Sequence, residues 1–505
     1  MWKRWVNKVV ATYLKTRLSR LENIKKNPHF HQRNILHKHL DRHQNTEIGQ
    51  AFQFRKIRSA EEYKIRVPIH TYEDIQPSIE RMMNGERDVL TKGKVHWYAK
   101  SSGTTSARSK YIPVTDEYYY GNIVRSSWDT MAVVYQHRPT AELFHKKSLV
   151  MGGSLQSWEG HKDTIVGDVS AIMIKRIPAI GKPFYTPDFD IALLSDWEEK
   201  IDAILKQCID EEVVLFGGVP TWNLVLFEKM LEVTGKDTIG EIWPQLKTYL
   251  HGGVGFDPYR DQFDQLLGIE DFEYYEVYNA SEGFFAVQDL KKGDDMLLLL
   301  DNGIYYEFIP PSEWNKDQPE TISLSEVELD KNYAIVITNA GGLWRYTPGD
   351  TIKFTSTNPY RIKVTGRTKH FINVFGEEVM VGNTDQALAM TCHEINALVN
   401  EYTVGPIHLD QNSKGGHLWV IEFEEGPIDL ASFERKLDSN LRKLNSDYDA
   451  KRSKNLALQS LRIKVVPKGT FLKWMRSKGK VGGQNKVPRL YNSRHYLEQL
   501  LEYVE

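Results

Sequence analysis

The stretch YAKSSGTTSARSKYIPVT, residues 98–115, sets two serines, a glycine and two threonines side by side, with basic residues close behind. A flexible glycine lets backbone wrap an anion. Hydroxyls and backbone N–H groups donate to it, and Lys or Arg neutralises it. Phosphate binding is the chemistry this suits. The nucleotide-triphosphatase loop is a different pattern, with a second glycine followed at once by Lys and then Ser or Thr. An ordinary Ser/Thr-rich turn has the same letters, so the rest of the chain decides.

Four further segments bear on the same chemistry. YYEVYNASEGFFAVQ (274–288) places Tyr278 four residues before Glu282. An aromatic face stacks on a purine, and a carboxylate holds Mg²⁺ over phosphates; a core Tyr and a surface Glu are the plain alternative. GGLWRYTPGDTIKF (341–354) ends an apolar run in Gly349-Asp350. A carboxylate after a tight turn accepts from both hydroxyls of a ribose, and a Pro-Gly-Asp surface turn has the same letters. VTGRTKHFINVFGEEV (364–379) sits where the texture of the chain changes, so Arg367 is a candidate ligand contact at a domain junction. GGQNKVPR (482–489) offers Lys486 on a glycine-rich loop.

Other chemistries fail on spacing. GGSLQ (152–156) starts like a hydrolase nucleophile turn but lacks the closing glycine. His393-Glu394 has no second His to complete a zinc-protease helix, and no G-x-G-x-x-G opens a helix. The histidines 29, 31, 37, 39 and 43 have no regular ligand spacing and read as surface.

Elements must position these residues. Trp2, Trp5, Val6, Val9, Tyr13, Leu14, Leu18 and Leu21 follow helical spacing; a basic amphipathic helix of this kind can lie on a membrane or pack on the protein's own core, and core packing is expected. From about residue 90 the texture is α/β. VVLFGG (213–218) and YAIVITNAGG (333–342) read as buried strands opening into glycine loops. Helices are expected over 196–209 and 221–233. MLLLLDNGIYYEFI (296–309) reads as a hairpin around Asp301-Asn302-Gly303. From about residue 370 a helix (384–400), a strand (416–423), a helix carrying Leu430, Phe433, Leu437, Leu441 and Leu444, and a strand (460–466) make a compact α+β unit. KGKVGGQNKVPRL reads as a mobile loop.

The bulk numbers name no partner. The chain has 505 residues, 41% hydrophobic and 26% charged, with net charge -2. Two cysteines exclude a disulfide scaffold. No run approaches a membrane span, and the first twenty residues lack the apolar core of a secretory signal, so a reducing cytoplasm is expected. Residues 451–490 hold 12 Lys and Arg and no acid. That block suits a polyanion, yet no nucleic-acid motif accompanies it.

In this order the segments are specific. SSGTTSARSK, GGVPTW (217–222), HGGV (251–254), YNASEG (278–283), RYTPGD (345–350), GRTKHFINVFGE (366–377) and GGQNKVPR resemble the adenylate-forming superfamily. Within it the chain resembles the Gretchen Hagen acyl acid–amido synthetase family, auxin-responsive conjugating enzymes and their bacterial relatives. The resemblance spans nearly the whole chain. It implies an α/β fold, with a large adenylate-forming domain of mixed sheets and helices over 1–369 and a small mobile α+β domain over 370–505.

The resemblance also implies roles. Ser101, Ser102, Gly103, Thr104 and Thr105 match the family's phosphate loop. Tyr278 matches the adenine-stacking position, Ser281 a nucleotide contact, and Glu282 the Mg²⁺-associated carboxylate. Asp350 matches the ribose aspartate, and Arg367 the arginine before the hinge. Lys486 matches the lysine that reaches the α-phosphate during adenylation. ATP, Mg²⁺, a carboxylic acid and an amine, an amino acid, are the implied reactants. Nucleic acid and stable membrane insertion are not. An acyl–coenzyme A ligase and a non-catalytic ATP-binding protein of the same fold are the alternatives.

The chain departs from the broader pattern in places. Ser106 stands for a glycine, Lys110 lies one residue late, Asn279 stands where glycine is usual, and Pro348 precedes Gly349-Asp350.

Overall fold

The computed structural model describes residues 2–504, apart from 102–109, 254, 315, 369–370, 373–376, 378, 408–414, 453–457, 480–485 and 492–493. The chain forms two compact units. The first comprises 1–218, 242–253 and 270–364; the second comprises 219–241, 254–269 and 365–505.

Among the described residues, the largest sheet has eleven strands. Their order is Ile304–Ile309, Asn332–Asn339, Asp350–Thr357, Tyr360–Arg367, Met296–Leu298, Gly283–Val287, Glu273–Ala280, Thr248–His251, Val213–Gly218, Lys147–Leu149 and Tyr185–Thr186. The last five pair in parallel. Glu273–Ala280 is where the pairing changes, because its other neighbour, Gly283–Val287, is antiparallel. Val213–Phe216 is buried throughout, as a strand covered on both faces must be. The glycine-rich stretches GGVPTW, HGGV and YNASEG begin at the carboxyl ends of neighbouring parallel strands. Open α/β sheets bind their ligands at that edge.

Close packing fixes this edge. A Cβ on Gly252 would fall 2.3 Å from the carbonyl oxygen of Val277. Gly252→Ala must therefore push two strand ends apart, at about 2 kcal/mol or more. A thermal unfolding scan should show a clearly lower midpoint; an unchanged midpoint contradicts this packing.

The expected strand–turn–strand over 296–309 is not a hairpin. Met296–Leu298 pairs with Tyr360–Arg367, whereas Ile304–Ile309 pairs with Asn332–Asn339. Tertiary contacts override the turn signal. Asp301 accepts from Arg20 and Arg125 at 2.6 Å, and the fully buried Asn302 donates to the Phe284 carbonyl at 2.5 Å. Gln32 donates to the carbonyls of Leu300 and Ile304, both at 2.9 Å. The turn is thus a buried crossing between distant places in the sheet.

The histidine-rich stretch is corrected too. His39 and His43 are buried, not surface. His39 Nε2 lies 2.9 Å from the Gly303 carbonyl, and burial pushes its pKa down to about 4. Among the described residues no group of three His, Cys, Asp or Glu is arranged to hold a metal.

The second unit contains a three-stranded sheet, Leu398–Ile407, Gly416–Glu425 and Arg462–Val466, with helices Val381–Ile395 and Leu430–Leu444. The helix expected to reach residue 400 stops at Ile395, where Asn396 adopts φ 58° and reverses the chain into the first strand. Helix Leu430–Leu444 buries Phe433, Leu437 and Leu441, the face its leucine spacing predicts. The KVPRL end of the basic loop is packed, not mobile. Val487 and Leu490 are buried, the Thr403 hydroxyl donates to the Pro488 carbonyl at 2.6 Å, and the Val404 N–H donates to the Arg489 carbonyl at 2.8 Å.

Candidate active site

Tyr278, Ser281 and Glu282 lie in the first unit on the chain reversal that joins Glu273–Ala280 to Gly283–Val287. All three are nearly buried. The Tyr278 ring packs on Phe285, with centroids 4.6 Å apart, and its hydroxyl donates to Asp350 Oδ2 at 2.7 Å. Residues 72 apart in sequence, assigned to adenine and ribose, are thereby joined side chain to side chain. Gly349 at φ 87° makes the turn that presents Asp350, a conformation costly for any other residue.

Neutral amides hold the turn that carries Glu282. Asn339, fully buried, donates through Nδ2 to the Glu282 carbonyl at 2.9 Å and accepts the Gly341 N–H at 2.8 Å. Asn122 accepts the Phe284 N–H at 2.8 Å and donates to the Phe284 carbonyl at 3.1 Å. The Tyr118 hydroxyl donates to the Ser281 carbonyl at 3.1 Å. Burial, and then the negative charge of Glu282, push the Tyr118 phenol well above its usual range. A carboxylate thus sits within low-dielectric surroundings, where its charge acts strongly.

Arg345 of RYTPGD turns inward. Its guanidinium binds Glu307 at 2.9 Å and donates to the carbonyls of Lys64 at 2.9 Å and Val67 at 2.7 Å. It anchors the segment that ends in Asp350.

Ser101 closes the strand Trp97–Ser101 and pairs antiparallel with Lys110. Ser102, Gly103, Thr104 and Thr105 lie outside the described residues, in the connection between those strands. The Lys110 ammonium lies 5.5 Å from the Tyr72 ring centroid, a cation–π contact within its own unit.

Arg367 and Lys486 belong to the second unit. Arg367 is half-buried at the end of strand Tyr360–Arg367. Gly366 before it has φ 148° and passes close to Val381, its Cβ position lying 3.3 Å from the Val381 nitrogen. Lys486 lines a cavity of about 160 Å³ within this unit, together with Trp222, Glu228, Glu422, Lys468 and Arg489. Arg489 is paired with Glu401 and the Tyr259 hydroxyl, and its Nη1 donates to the Tyr402 carbonyl at 2.9 Å. That buried anchor fixes the chain three residues after Lys486.

Sequence reading missed the positioning residues Asn122, Tyr118 and Asn339, and the buried Lys200 of the Gly152-Gly153 turn. Asn339 had a signal, since an amide before Ala-Gly-Gly often ties a turn. The others sit in helices with no distinguishing neighbour. Lys200, almost wholly buried, donates to the Gly152 carbonyl at 2.5 Å, and burial pushes its pKa down to about 8. The Gly152-Gly153 turn itself is a packing feature: a Cβ on Gly153 would lie 1.5 Å from Asp168 Oδ2.

Comparison with known proteins decides the family. The model of the GH3 family N-terminal domain matches residues 17–196 and 156–271, the central domain 297–367, and the C-terminal domain 382–495. The chain belongs to the GH3 family. The indole-3-acetic acid-amido synthetase GH3.3 of Arabidopsis thaliana is 22% identical, over 95% of this chain and 92% of that protein. The 4-substituted benzoates-glutamate ligase GH3.12 of the same plant is 24% identical, over 98% and 97%. The solved AtGH3.15 acyl acid amido synthetase in complex with 2,4-DB superposes with a TM-score of 0.78 at 19% identity, covering 98% of this chain and 97% of its own. With GH3 domains over most of its length and amido synthetases and ligases among its relatives, the chain is an amide-forming ligase. The resemblance drawn from the ordered motifs stands, and so does the mixed α/β fold.

Within this GH3 chain, the Tyr278–Asp350 pair gives a direct test. Asp350→Asn keeps an oxygen for the Tyr278 hydroxyl and removes the charge. In the ribose role that the motif resemblance implies for Asp350, the lost charge-assisted hydrogen bonds should cost about 1.5–3 kcal/mol, roughly ten- to hundredfold in ATP affinity. Calorimetric titration with ATP reads this. Unchanged affinity would mean that Asp350 does not hold the ribose.

Proposed function

We propose that this chain couples ATP to amide formation between a carboxylic acid and an amino acid, through an acyl-adenylate. The observation that supports it most is the hydrogen-bonded Tyr278–Asp350 pair, with the buried Glu282 on the same chain reversal as Tyr278, at the edge where a parallel sheet takes its ligand. A carboxylate oxygen of the acid attacks the α-phosphorus of ATP, the bond to the bridging oxygen breaks, and pyrophosphate leaves. The amine nitrogen then attacks the acyl carbon, loses a proton, and AMP departs.

Each residue has a task in this scheme. Tyr278 and Asp350 orient adenosine. The hydroxyls and backbone of residues 101–105 hold the outer phosphates, with Ser281 beside the nucleotide. Glu282 suits Mg²⁺, which takes one or two protein carboxylates and completes its shell from phosphates and water. Bound there, Mg²⁺ supplies charge neutralisation at the phosphates. Lys486 adds positive charge at the α-phosphate during the first step only. Rotation of residues 370–505 about a hinge near Arg367 brings Lys486 in for adenylation and withdraws it for transfer. We place the reaction in the cytoplasm.

A screen of carboxylic acids with ATP and Mg²⁺, read by pyrophosphate release, tests the proposal. Amino acids and coenzyme A are then supplied to the competent acid. Amide and AMP are the expected products with amino acids. Thioester from coenzyme A, with no amide, would make the chain an acyl–coenzyme A ligase instead.

A further inference from the structure

The N-terminal helix Trp2–Lys26 does not bury the whole face its sequence suggests. Leu14, Leu21 and Ile24 are buried, and Val10, Ala11 and Leu18 pack beside them. Trp2, Trp5, Val9 and Tyr13 instead stand 52%, 68%, 47% and 47% exposed. At 100° per residue these four fall in one stripe, displaced from the buried face by about a third of a turn. The helix is not detached there. Asn7, on its inner side, donates to the Ala141 carbonyl at 3.2 Å and accepts from the Tyr135 hydroxyl at 2.5 Å. The apolar stripe is therefore held outward by the fold.

Its surroundings define the partner. Ile180, 78% exposed, tips a neighbouring loop. That loop is tied to the helix by Lys3 Nζ, which donates to the Pro183 carbonyl at 3.1 Å, and by Trp2 against Phe184, with ring centroids 5.7 Å apart. Arg4, Lys8 and Lys15 are exposed along one flank of the stripe. The helix has eight Lys and Arg against the single acid Glu22; Arg17, Arg20 and Lys25 pair with Asp129, Asp301 and Asp289, and the flank with Arg4, Lys8 and Lys15 keeps a basic excess. Two such faces repel each other, which disfavours a second copy. A nucleic acid would satisfy the charge and leave the indoles in water. An anionic bilayer surface satisfies both, because Trp prefers the headgroup region and each nearby cation adds attraction.

We infer that this helix face docks the enzyme peripherally on anionic lipid surfaces, with Trp2, Trp5 and Ile180 entering the headgroup layer and Arg4, Lys8 and Lys15 meeting lipid phosphates. No helix of the described residues is long and apolar enough to span a membrane, so the contact is a surface one. Co-sedimentation of the full chain with phosphatidylcholine vesicles, with and without phosphatidylserine, tests it. Binding should require phosphatidylserine and weaken as salt rises. Trp5→Glu and Arg4→Glu/Lys8→Glu should each reduce it at least about tenfold. Their thermal unfolding and pyrophosphate release should stay those of the wild type, since none of these side chains is in the core or the candidate site. The inference is overturned by no vesicle binding, by binding indifferent to both variants, or by a concentration-dependent dimer that Trp5→Glu abolishes. DNA binding with no vesicle binding assigns the basic face to nucleic acid and overturns it as well.

Discussion

Lys486→Ala is expected to lower acid-dependent pyrophosphate release about hundred- to a thousandfold, while acyl transfer from a supplied acyl-adenylate to the amine proceeds at the wild-type rate. An interaction made only in one transition state appears as a fall in that step's rate with little change in binding. The size follows from removing one preorganised charge from a site of developing negative charge, about 2.7–4 kcal/mol. Folding should be unharmed. Lys486 lines its cavity half-buried, and the anchor that follows, Val487 to Leu490, is buried and held by Arg489 and by the Val404 N–H on the Arg489 carbonyl. The two half-reactions are measured in parallel on one preparation. Equal loss in both would refute alternation of the C-terminal unit between steps, and no loss in either would remove Lys486 from the reaction.

Glu282→Gln should also stop adenylation, for a different reason. The substitution keeps shape and burial and removes the charge that suits Mg²⁺. Pyrophosphate release should fall at least about a hundredfold, roughly 3 kcal/mol. The residual rate should need a higher Mg²⁺ concentration for half-saturation, which a purely structural role would not produce. Unfolding should not change greatly, because Asn339, Tyr118 and Asn122 hold the turn through backbone atoms. Wild-type rate and wild-type Mg²⁺ dependence together would remove Glu282 from the metal site.

Much of the fold was legible because local signals agreed with the tertiary structure. Val213–Gly218 and Asn332–Asn339 read as strands and are, buried over Val213–Phe216 and Tyr333–Asn339, and Leu430–Leu444 shows its leucine face directly. Reading failed where long-range partners took over a local motif. Asp301-Asn302-Gly303 has hairpin letters, but Arg20, Arg125 and Phe284 claim its polar groups. His39 and His43 looked like surface because burial of a neutral imidazole leaves no mark on spacing.

The candidate site shows the same division. Tyr278, Glu282 and Asp350 were singled out from ordered motifs as candidates, and the hydrogen bond between Tyr278 and Asp350 was not foreseen, since 72 residues separate them. Arg345 sits in a ligand-like motif yet spends its donors on Glu307 and two carbonyls. The letters show which residues are available for chemistry. Only packing shows which ones hold the others in place.

Oxygen tracing tests the acyl-adenylate most directly. The full chain is given ATP, Mg²⁺, an amino acid and a competent carboxylic acid labelled with ¹⁸O in both carboxylate oxygens, and the products are weighed by mass spectrometry. Attack of the carboxylate on the α-phosphorus leaves one of its oxygens bonded there when the amine displaces the acyl carbon. AMP should therefore contain one ¹⁸O, the amide should retain the other, and pyrophosphate should contain none. Label in inorganic phosphate with formation of ADP, or unlabelled AMP alongside the amide, would contradict an acyl-adenylate route.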